Sequence, residues 1–175
     1  LITGIGQGYI QSTPLQLTLM TAQLANGGNK IYPTLIPSNK NIEQIKKEME
    51  GSEDYGLTSN YPPLVKNKEN IKFVLDAMFK STNEVYGTSY ASRIEDPKYQ
   101  FAGKTGTAQV KRITEAEREL DRKLEQIPYK ERDHAWYIAF GPYKNPRYAM
   151  TVLVEHGGSG SSAAAPIAKK LFKKI

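Results

Sequence analysis

The sequence predicts an α+β fold in which an antiparallel β-sheet is packed between helices. Strand patterns recur at 101–110, 135–140 and 148–155 in the second half of the chain. An uncharged helical pattern follows residue 13, and an amphipathic helical pattern occupies 163–175. With 175 residues, 39% of them apolar, the chain has the size of one domain or of a large part of one.

The first predicted helix spans residues 14–26. Thr13 is placed to cap it, Pro14 suits its first position, and Gln16 completes a capping-box pattern. No residue of this span is charged and its apolar residues surround the helix, which predicts burial of both faces. The Gly27-Gly28 pair is expected to end the helix.

The segment between this helix and the sheet is less regular. Residues 30–36 are predicted to be extended, 41–49 to form a helix with one apolar face, and 51–63 to form a polar surface loop. A second long helix is predicted over about 68–80, because apolar residues recur there at core spacing. We assign this helix a packing role, as we do the first one.

The first strand of the predicted sheet is where we expect the functional site. Glycine weakens a strand interior, so Gly103 and Gly106 indicate close approach by another backbone or by a ligand. Lys104 and the hydroxyls of Thr105 and Thr107 then lie beside open backbone groups, an arrangement that suits a peptide carboxylate laid along a sheet edge. The tripeptide Lys-Thr-Gly alone also fits a plain edge strand with a solvated lysine.

Residues 111–133 separate the first two strands. They carry seven basic and seven acidic side chains, so their charge cancels. A capping-box pattern begins at Thr114 and is followed by a narrow apolar stripe. We predict an exposed helical insertion that ends near Pro128. A solvated surface helix is the default interpretation, and a role in gating the cleft or docking a partner is the alternative.

Two strands and a helix close the predicted fold. The strand at 148–155 carries apolar groups on both faces, which suits an interior strand. We predict a three-stranded antiparallel sheet in the order 101–110, 135–140, 148–155. Residues 157–162 are expected to be a flexible joint. The closing helix is predicted to face the sheet with four apolar side chains: Ile167, Ala168, Leu171 and Phe172.

Charge and residue types narrow the function classes. The net charge of +6 favours anionic partners, but four lysines lie on the last helix, where a solvated basic face accounts for them. No nucleic-acid motif accompanies the charge, and no apolar run approaches the roughly 20 residues that span a bilayer. His134 and His156 are the only histidines and cysteine is absent, so we predict no metal site and no cofactor.

Three motifs carry a resemblance to a known family. They are Gly-Ile-Gly-Gln-Gly at 4–8, Gly-Lys-Thr-Gly-Thr-Ala-Gln at 103–109, and His-Ala-Trp-Tyr-Ile-Ala-Phe-Gly-Pro-Tyr at 134–143. Lys-Thr-Gly is the third signature of penicillin-binding proteins and class A β-lactamases. In this order the motifs resemble the C-terminal part of a class B penicillin-binding protein, most of all the penicillin-binding protein 2 subfamily of elongation transpeptidases. The resemblance runs nearly end to end and is weakest at 37–66 and 111–130.

This resemblance implies part of the transpeptidase fold that penicillin-binding proteins and serine β-lactamases share. In that fold the strand matching 148–155 pairs with a strand from the start of the domain, which we expect outside this chain. We therefore predict that its edge is covered by a second copy, a swapped segment or a rearranged loop. Lys104 would supply positive potential to the cleft. Together with Thr105, Gly106 and Thr107 it would bind the carboxylate of a D-Ala-D-Ala stem peptide or of a β-lactam. The backbone N–H of Thr107 would be one oxyanion donor, with the other at the nucleophilic serine. The whole enzyme would cross-link peptidoglycan through an acyl-serine intermediate.

The nucleophile and base of that chemistry are expected outside this chain. The family takes both from Ser-x-x-Lys, and no serine here has lysine three positions later. The family's second signature, Ser-x-Asn, is matched in letters by Ser81-Thr82-Asn83. That run follows the uncharged helix, whereas the family's signature precedes it, and we interpret it as a helix end. Gly87-Thr88-Ser89 resembles the family's short turn before the active-site strand and is interpreted as structural.

We therefore predict that residues 1–175 are the C-terminal part of a transpeptidase domain, cut from a longer protein, and that this fragment alone is inactive. By resemblance, the intact protein would lie on the periplasmic side of the bacterial inner membrane, anchored by an upstream segment, and would work with cell-wall elongation proteins. Two other classes stay open. A serine β-lactamase or β-lactam sensor shares the strand but not the Gly-rich opening, and a noncatalytic basic wall-binding module explains the charge but not Gly106 beside Lys104.

Overall fold

The computed structural model describes residues 11–31, 33, 64–111, 114, 119–120 and 122–175. The helices and strands in these residues are α1 (Pro14–Ala25), α2 (Lys68–Asn83), β1 (Ala102–Ala108), β2 (His134–Gly141), β3 (Tyr148–Val154) and α3 (Ala165–Phe172). The predictions made for 4–8, 41–49 and 51–63, and most of 30–36, fall outside the described residues. None of the helices in the described part of the chain is long and apolar enough to cross a bilayer.

Helix α1 begins and ends where the sequence predicts. The Thr13 hydroxyl accepts a hydrogen bond from the backbone N–H of Gln16, and the Gln16 side chain accepts one from the N–H of Thr13 at 2.8 Å. Gly27 and Gly28 follow its end with φ of 84° and 85°, a conformation that glycine adopts without steric cost. The capping box and the glycine stop are therefore confirmed.

The predicted burial of both faces of α1 is wrong. Thr21 is fully buried, whereas Leu15 is 59% exposed and Met20 is 40% exposed. The helix rests on the sheet with one side, where the Thr18 hydroxyl lies 2.9 Å from that of Thr151 on β3. Apolar composition alone does not report whether a second layer lies over the helix, and within the described residues the outer side of α1 stays largely open.

Helix α2 runs three residues beyond its predicted end and includes Ser81, Thr82 and Asn83. The Asn67 side chain caps its start by accepting from the N–H of Glu69 at 2.8 Å. Its last turn is held by tertiary bonds, because Asn83 Nδ2 donates to the carbonyl of Phe101 at 2.9 Å. Ser81, Thr82 and Asn83 therefore form the last residues of the helix, in agreement with their interpretation as a helix end.

The sheet has the predicted order β1-β2-β3 and is antiparallel throughout. In its register Lys104 pairs with Ile138 and Gly106 pairs with Trp136. Trp136 in turn pairs with Leu153 on β3. Among the described residues β3 pairs with β2 alone, so no described strand extends the sheet beyond its outer edge. Covering of that edge by a second copy, a swapped segment or a rearranged loop stays a prediction.

Helices lie on both faces of the sheet, which confirms the α+β class. We call the face of Tyr137 the α3 face, because α3 and the turn before it cover it. We call the face of Ile138 the α1 face, because α1 and part of α2 cover it. The core of the α3 face consists of Ile94, Phe101, Ala135, Tyr137, Ala139, Val152, Ala164, Ala165, Ala168 and Phe172. The smaller core of the α1 face consists of Met78, Ala102 and Phe140.

Two segments differ from their predicted conformation. Residues 112–113, 115–118 and 121 of the insertion fall outside the described residues, and Glu119 between them is helical. From residue 122 onward the insertion forms short 3-10 turns at Leu124–Gln126 and Tyr129–Glu131, so the predicted helix does not continue to Pro128. The expected flexible joint is wrong, because Gly160–Ala164 forms a π-helical turn packed under the sheet. A Cβ on Gly160 would lie 2.7 Å from the carbonyl oxygen of Gly106, so only glycine fits there.

The buried side of α3 is also shifted from the prediction. Ala165, Ala168 and Phe172 are buried, whereas Ile167 and Leu171 are exposed. The helix begins at Ala165, directly after the π-helical turn, and its buried residues then follow at intervals of three and four. The prediction was right for Ala168 and Phe172 and wrong for the other two, because the preceding turn sets which side meets the sheet.

Candidate functional site

The four predicted site residues lie in sequence on β1, which forms an edge of the described sheet. Two side chains mark which backbone groups face outward. Asn83 donates to the carbonyl of Phe101, and the Lys104 ammonium donates to the carbonyl of Thr105 at 2.8 Å. In an antiparallel ladder outward and inward groups alternate, so Thr107 presents its backbone N–H and C=O to the same outer edge as Thr105.

The outer edge of β1 is closed at one end and open at the other. Phe101, Ala102 and Gly103 are buried, and the end of α2 covers this part of the strand. From Lys104 onward the strand emerges: Lys104 and Thr107 are exposed, and Thr105 is half-buried. The open part of the edge is therefore the Lys-Thr-Gly-Thr run itself.

The charge of Lys104 is not neutralised by an acidic group among the described residues. Its ammonium donates to the Thr105 carbonyl and lies 3.5 Å from the Thr105 hydroxyl oxygen. Both acceptors are neutral oxygens, and a carboxylate would form a stronger, charge-assisted bond in their place. Lys104 is thus available to an anionic ligand that lies along β1.

The two glycines of β1 are required for different reasons. A Cβ on Gly103 would collide with the ring and hydroxyl of Tyr137, so a side chain fills that space. At Gly106 we expected the close approach of another backbone. The backbone of Gly160 makes this approach, packing against Gly106 from the α3 face. On the opposite face a Cβ on Gly106 would lie 3.3 Å from Cβ of Trp136, a tight contact.

The structure adds two hydroxyls that the sequence interpretation had assigned to structural segments. The Thr88 hydroxyl oxygen lies 3.3 Å from that of Thr105, and the Ser81 hydroxyl oxygen lies 3.2 Å from that of Thr88. These residues come from the end of α2 and from the turn that follows it. No periodicity links them to β1, and the only local signal was the position of the Gly-Thr turn ahead of the strand.

A buried hydrogen-bond network lies beneath this row of hydroxyls. The Tyr137 hydroxyl is 2.9 Å from that of Thr82 and 3.0 Å from that of Ser89, and all three residues are buried. Burial raises the pKa of Tyr137, and the bonds from Ser89 and Thr82 lower it by less. The phenol therefore stays neutral, and because Tyr137 pairs with Thr105 it anchors the strand at the site.

The two histidines have structural partners. The backbone N–H of His156 donates to Nδ1 of His134 at 2.9 Å, and Nδ1 of His156 lies 3.0 Å from the carbonyl oxygen of Arg132. They fasten the end of β3 to the start of β2. The described ranges contain no group of three or more His, Cys, Asp or Glu side chains that could hold a metal ion.

The described residues do not bring a serine nucleophile and a lysine base together. No hydrogen bond joins a serine hydroxyl to a lysine amine among them. Ser81 bonds to Thr88, Ser89 donates to the carbonyl of Ser81, and Ser159 bonds to Ser161. The assembled part of the site is therefore a binding edge.

Comparison with known sequences identifies the family to which the chain is similar. Residues 1–173 match the family model described as penicillin binding protein transpeptidase domain. The peptidoglycan D,D-transpeptidase MrdA of Haemophilus influenzae is 37% identical over 175 residues, which cover 97% of this chain and 24% of that protein. The protein of the same name from Salmonella typhimurium is 34% identical, with 98% and 26% covered. The chain thus spans about a quarter of the length of the curated relatives it matches.

Solved structures agree with this result. A crystal structure of Pseudomonas aeruginosa PBP2 in complex with WCK 5153 has a TM-score of 0.68 and 33% identity, covering 98% of this chain and 31% of that one. A complex between PBP2 and MreC from Helicobacter pylori has a TM-score of 0.68 and 30% identity, covering 99% and 26%. The family model covers nearly all of the chain, and its relatives include MrdA and PBP2 proteins. The chain therefore belongs to the penicillin-binding protein transpeptidase family.

Proposed function

We propose that this chain is the substrate-binding part of a peptidoglycan D,D-transpeptidase, a serine enzyme that cross-links stem peptides ending in D-Ala-D-Ala and is acylated by β-lactams. The observation that carries the proposal is the open edge of β1, where Lys104 lies beside Thr105 and Thr107 and has no acidic partner among the described residues. An extended peptide can add to such an edge by backbone hydrogen bonds. The family match and the names of the relatives support the same reaction class.

Each residue of the edge has a proposed role. The terminal carboxylate of the donor peptide, or that of a β-lactam, lies against the hydroxyls of Thr105 and Thr107, and Lys104 supplies the positive potential that attracts it. Gly106 keeps the strand between the two threonines free of a side chain on the exposed part of the edge. The outward N–H of Thr107 donates to the oxyanion of the tetrahedral intermediate, where a preorganised donor stabilises developing charge.

The proposed reaction has two acyl-transfer steps. The serine hydroxyl attacks the carbonyl carbon of the penultimate D-Ala, loses its proton to a base, and forms an ester as the peptide C–N bond breaks. The base then gives that proton to the leaving nitrogen, and terminal D-Ala departs as a free amine. The amine of a second stem peptide then attacks the ester, which forms the cross-link and frees the serine. We infer that the serine and the base come from a Ser-x-x-Lys motif outside this chain, so the chain alone is not acylated.

We also propose where the intact protein acts. The Helicobacter pylori relative was solved as a complex with MreC, and the other relatives are peptidoglycan transpeptidases. An elongation role on the periplasmic side of the inner membrane, with an anchor upstream of this chain and cell-wall elongation proteins as partners, accords with those names. A fluorescent fusion of the intact protein that failed to follow sites of wall growth would contradict this placement.

Acylation by a labelled penicillin tests the proposed reaction. The intact protein should form an adduct that survives denaturation, and Lys104→Ala should slow its formation by roughly 100-fold, as loss of a preorganised electrostatic group does in other acyl-transfer sites. Lys98→Ala is the matched control, because Lys98 is an exposed lysine that stacks on Tyr99 away from the edge. Equal acylation of the wild type and Lys104→Ala would remove Lys104 from the site.

The same experiment separates the proposal from other reactions. Residues 1–175 alone should bind no label covalently. If the intact protein hydrolysed penicillin rapidly without a lasting adduct, it would be a β-lactamase. If it bound anionic wall polymer in a salt-dependent way and formed no adduct, it would be a noncatalytic binding module.

A further inference from the structure

Thr88 stands between the end of α2 and the candidate binding strand. Its hydroxyl oxygen lies 3.3 Å from that of Thr105 and 3.2 Å from that of Ser81. Seventeen positions separate Thr88 from Thr105, so the contact is tertiary. Thr88 is exposed and does not belong to either hydrophobic core, which means that its side chain is not explained by packing.

The turn that carries Thr88 is held on both sides. Gly87 packs so closely on the end of α2 that a Cβ there would collide with the carbonyl oxygen of Ser81. Ser89 donates to that same carbonyl through its backbone N–H and through its hydroxyl, each at 3.0 Å. The Ser89 hydroxyl also reaches Tyr137, which pairs with Thr105. The buried network thus fixes the turn and the strand relative to each other.

The groups around Thr105 determine where its proton can go. The Lys104 ammonium has only donors and lies 3.5 Å from the Thr105 oxygen, so this long contact can use only a lone pair of that oxygen. If Thr88 also donates to the oxygen, both lone pairs face donors. The Thr105 O–H is then directed away from its neighbours and remains free to donate to a carboxylate.

We propose that Thr88 is a positioning residue that orients the Thr105 hydroxyl as a donor to the substrate carboxylate. The Ser81 hydroxyl, on the other side of Thr88, holds the Thr88 hydroxyl in place by a hydrogen bond. This inference rests on the proposed function, because it needs a ligand carboxylate at β1. Thr88 itself does not touch the ligand. This role can be distinguished from support of the turn. If Thr88 only supported the turn, its substitution would slow acylation by every ligand equally, and the loss would not depend on the hydroxyl of Thr105.

The test uses the intact protein and two penicillins, one with its free carboxylate and one as the methyl ester. Thr88→Val removes the hydroxyl and keeps the shape, and should slow acylation by the free acid roughly three- to tenfold, the range expected for one hydrogen bond. Acylation by the ester should change by less than about twofold, because the ester lacks the charged acceptor. Thr88→Ser keeps the hydroxyl and should restore acylation by the free acid to within about twofold of wild type.

A double-mutant cycle isolates the path through Thr105. In a Thr105→Val background, Thr88→Val should cause no further loss, because the hydroxyl that it orients is gone. Thr21→Val is the matched control, since its hydroxyl bonds the carbonyl of Leu17 within α1 and its loss should leave acylation unchanged. Thermal unfolding of each variant reports folding, and Thr88→Ala supplies a second deletion of the hydroxyl should the valine distort the turn.

The outcomes distinguish this inference from the function on which it rests. If the wild type is not acylated at all, the proposed function fails and the inference fails with it. If the wild type is acylated and Thr88→Val slows the acid and the ester equally, or acts equally in the Thr105→Val background, Thr88 only supports the turn. Wild-type rates in both Thr88→Val and Thr88→Ala would overturn the inference and leave the proposed function standing.

Discussion

The two faces of the sheet are closed to different extents. On the α3 face Phe101, Tyr137 and Ala139 are fully buried, and the Tyr137 hydroxyl is paired twice. On the α1 face the covering helix leaves Leu15 more than half exposed. The indole N–H of Trp136, which points to that face, is buried without a hydrogen-bond partner among the described residues. The α3 face therefore has the larger and better-satisfied core, whereas the α1 face has a smaller core and a buried indole N–H without a described partner.

The largest expected difference between the faces comes from truncating their apolar side chains. Phe101→Ala should lower the free energy of unfolding by about 3–5 kcal/mol, because a fully buried ring stacked on Phe172 leaves a cavity. Leu15→Ala on α1 should cost less than about 1 kcal/mol, as exposed positions do. Denaturant unfolding of both variants measures this. A loss of similar size for Leu15→Ala in the intact protein would mean that another segment closes the α1 face there.

A smaller effect is expected where backbones meet on the α3 face. Gly160→Ala should destabilise the protein by about 1–3 kcal/mol, because its Cβ would press on the carbonyl oxygens of Trp136 and Gly106, which cannot rotate away. Gly106→Ala is the matched variant, since its Cβ would meet only Cβ of Trp136 at 3.3 Å, and it should cost less. Thermal unfolding measures the loss of stability in both variants. A larger loss for Gly106→Ala than for Gly160→Ala would mean that the tighter contact lies on the α1 face.

How much of this fold the sequence predicts depends on the range of the interaction. The capping box of α1 follows from neighbouring residues, and the pairing of β2 with β3 follows from the short turn between them; both are confirmed. The buried side of α3 was wrong at Ile167 and Leu171, because a π-helical turn sets the start of the helix. Burial of α1 was wrong because its composition records apolar surface and not what covers that surface.

The candidate site also has a part that the sequence predicts and a part that only tertiary contacts reveal. Lys104, Thr105, Gly106 and Thr107 are consecutive, and their alternation along a strand is visible in the sequence, although their binding role stays a prediction. Thr88 was interpreted as a turn residue because its contact with Thr105 crosses from one element to another. A chain of hydroxyls has no sequence period, so only the packing of the turn onto α2 reveals it.

Removal of one buried hydroxyl should have an intermediate effect. Tyr137→Phe leaves the hydroxyls of Thr82 and Ser89 without one partner each in the core of the α3 face. Both keep a backbone carbonyl as acceptor, so the cost should be about 1–2 kcal/mol, the lower part of the range for an unsatisfied buried group. Thr82→Val combined with Tyr137→Phe should recover part of the loss, and no change in Tyr137→Phe would mean that the network is hydrated.

The pH dependence of the same variant provides an independent measurement. Burial raises the pKa of Tyr137 in the folded protein, whereas tyrosine in an unfolded chain has a pKa of about 10. Its contribution to stability is therefore complete below about pH 10 and is lost as the pH rises through the folded-state pKa. The stability difference between wild type and Tyr137→Phe should narrow in that alkaline range and stay constant between about pH 6 and 9.

The smallest expected effect concerns a side-chain hydrogen bond between α1 and β3. Thr18 and Thr151 share a hydrogen bond of 2.9 Å in a part-buried position, and Thr18 can also donate to the carbonyl of Pro14. Because both hydroxyls are only part-buried, water can compete for them, and Thr18→Val and Thr151→Val should couple by only about 0.5 kcal/mol in a double-mutant cycle. A coupling above about 1.5 kcal/mol would exceed the range for a solvated neutral pair and would indicate a dry interface. That result would contradict the contrast between the two faces at the contact where α1 meets the sheet.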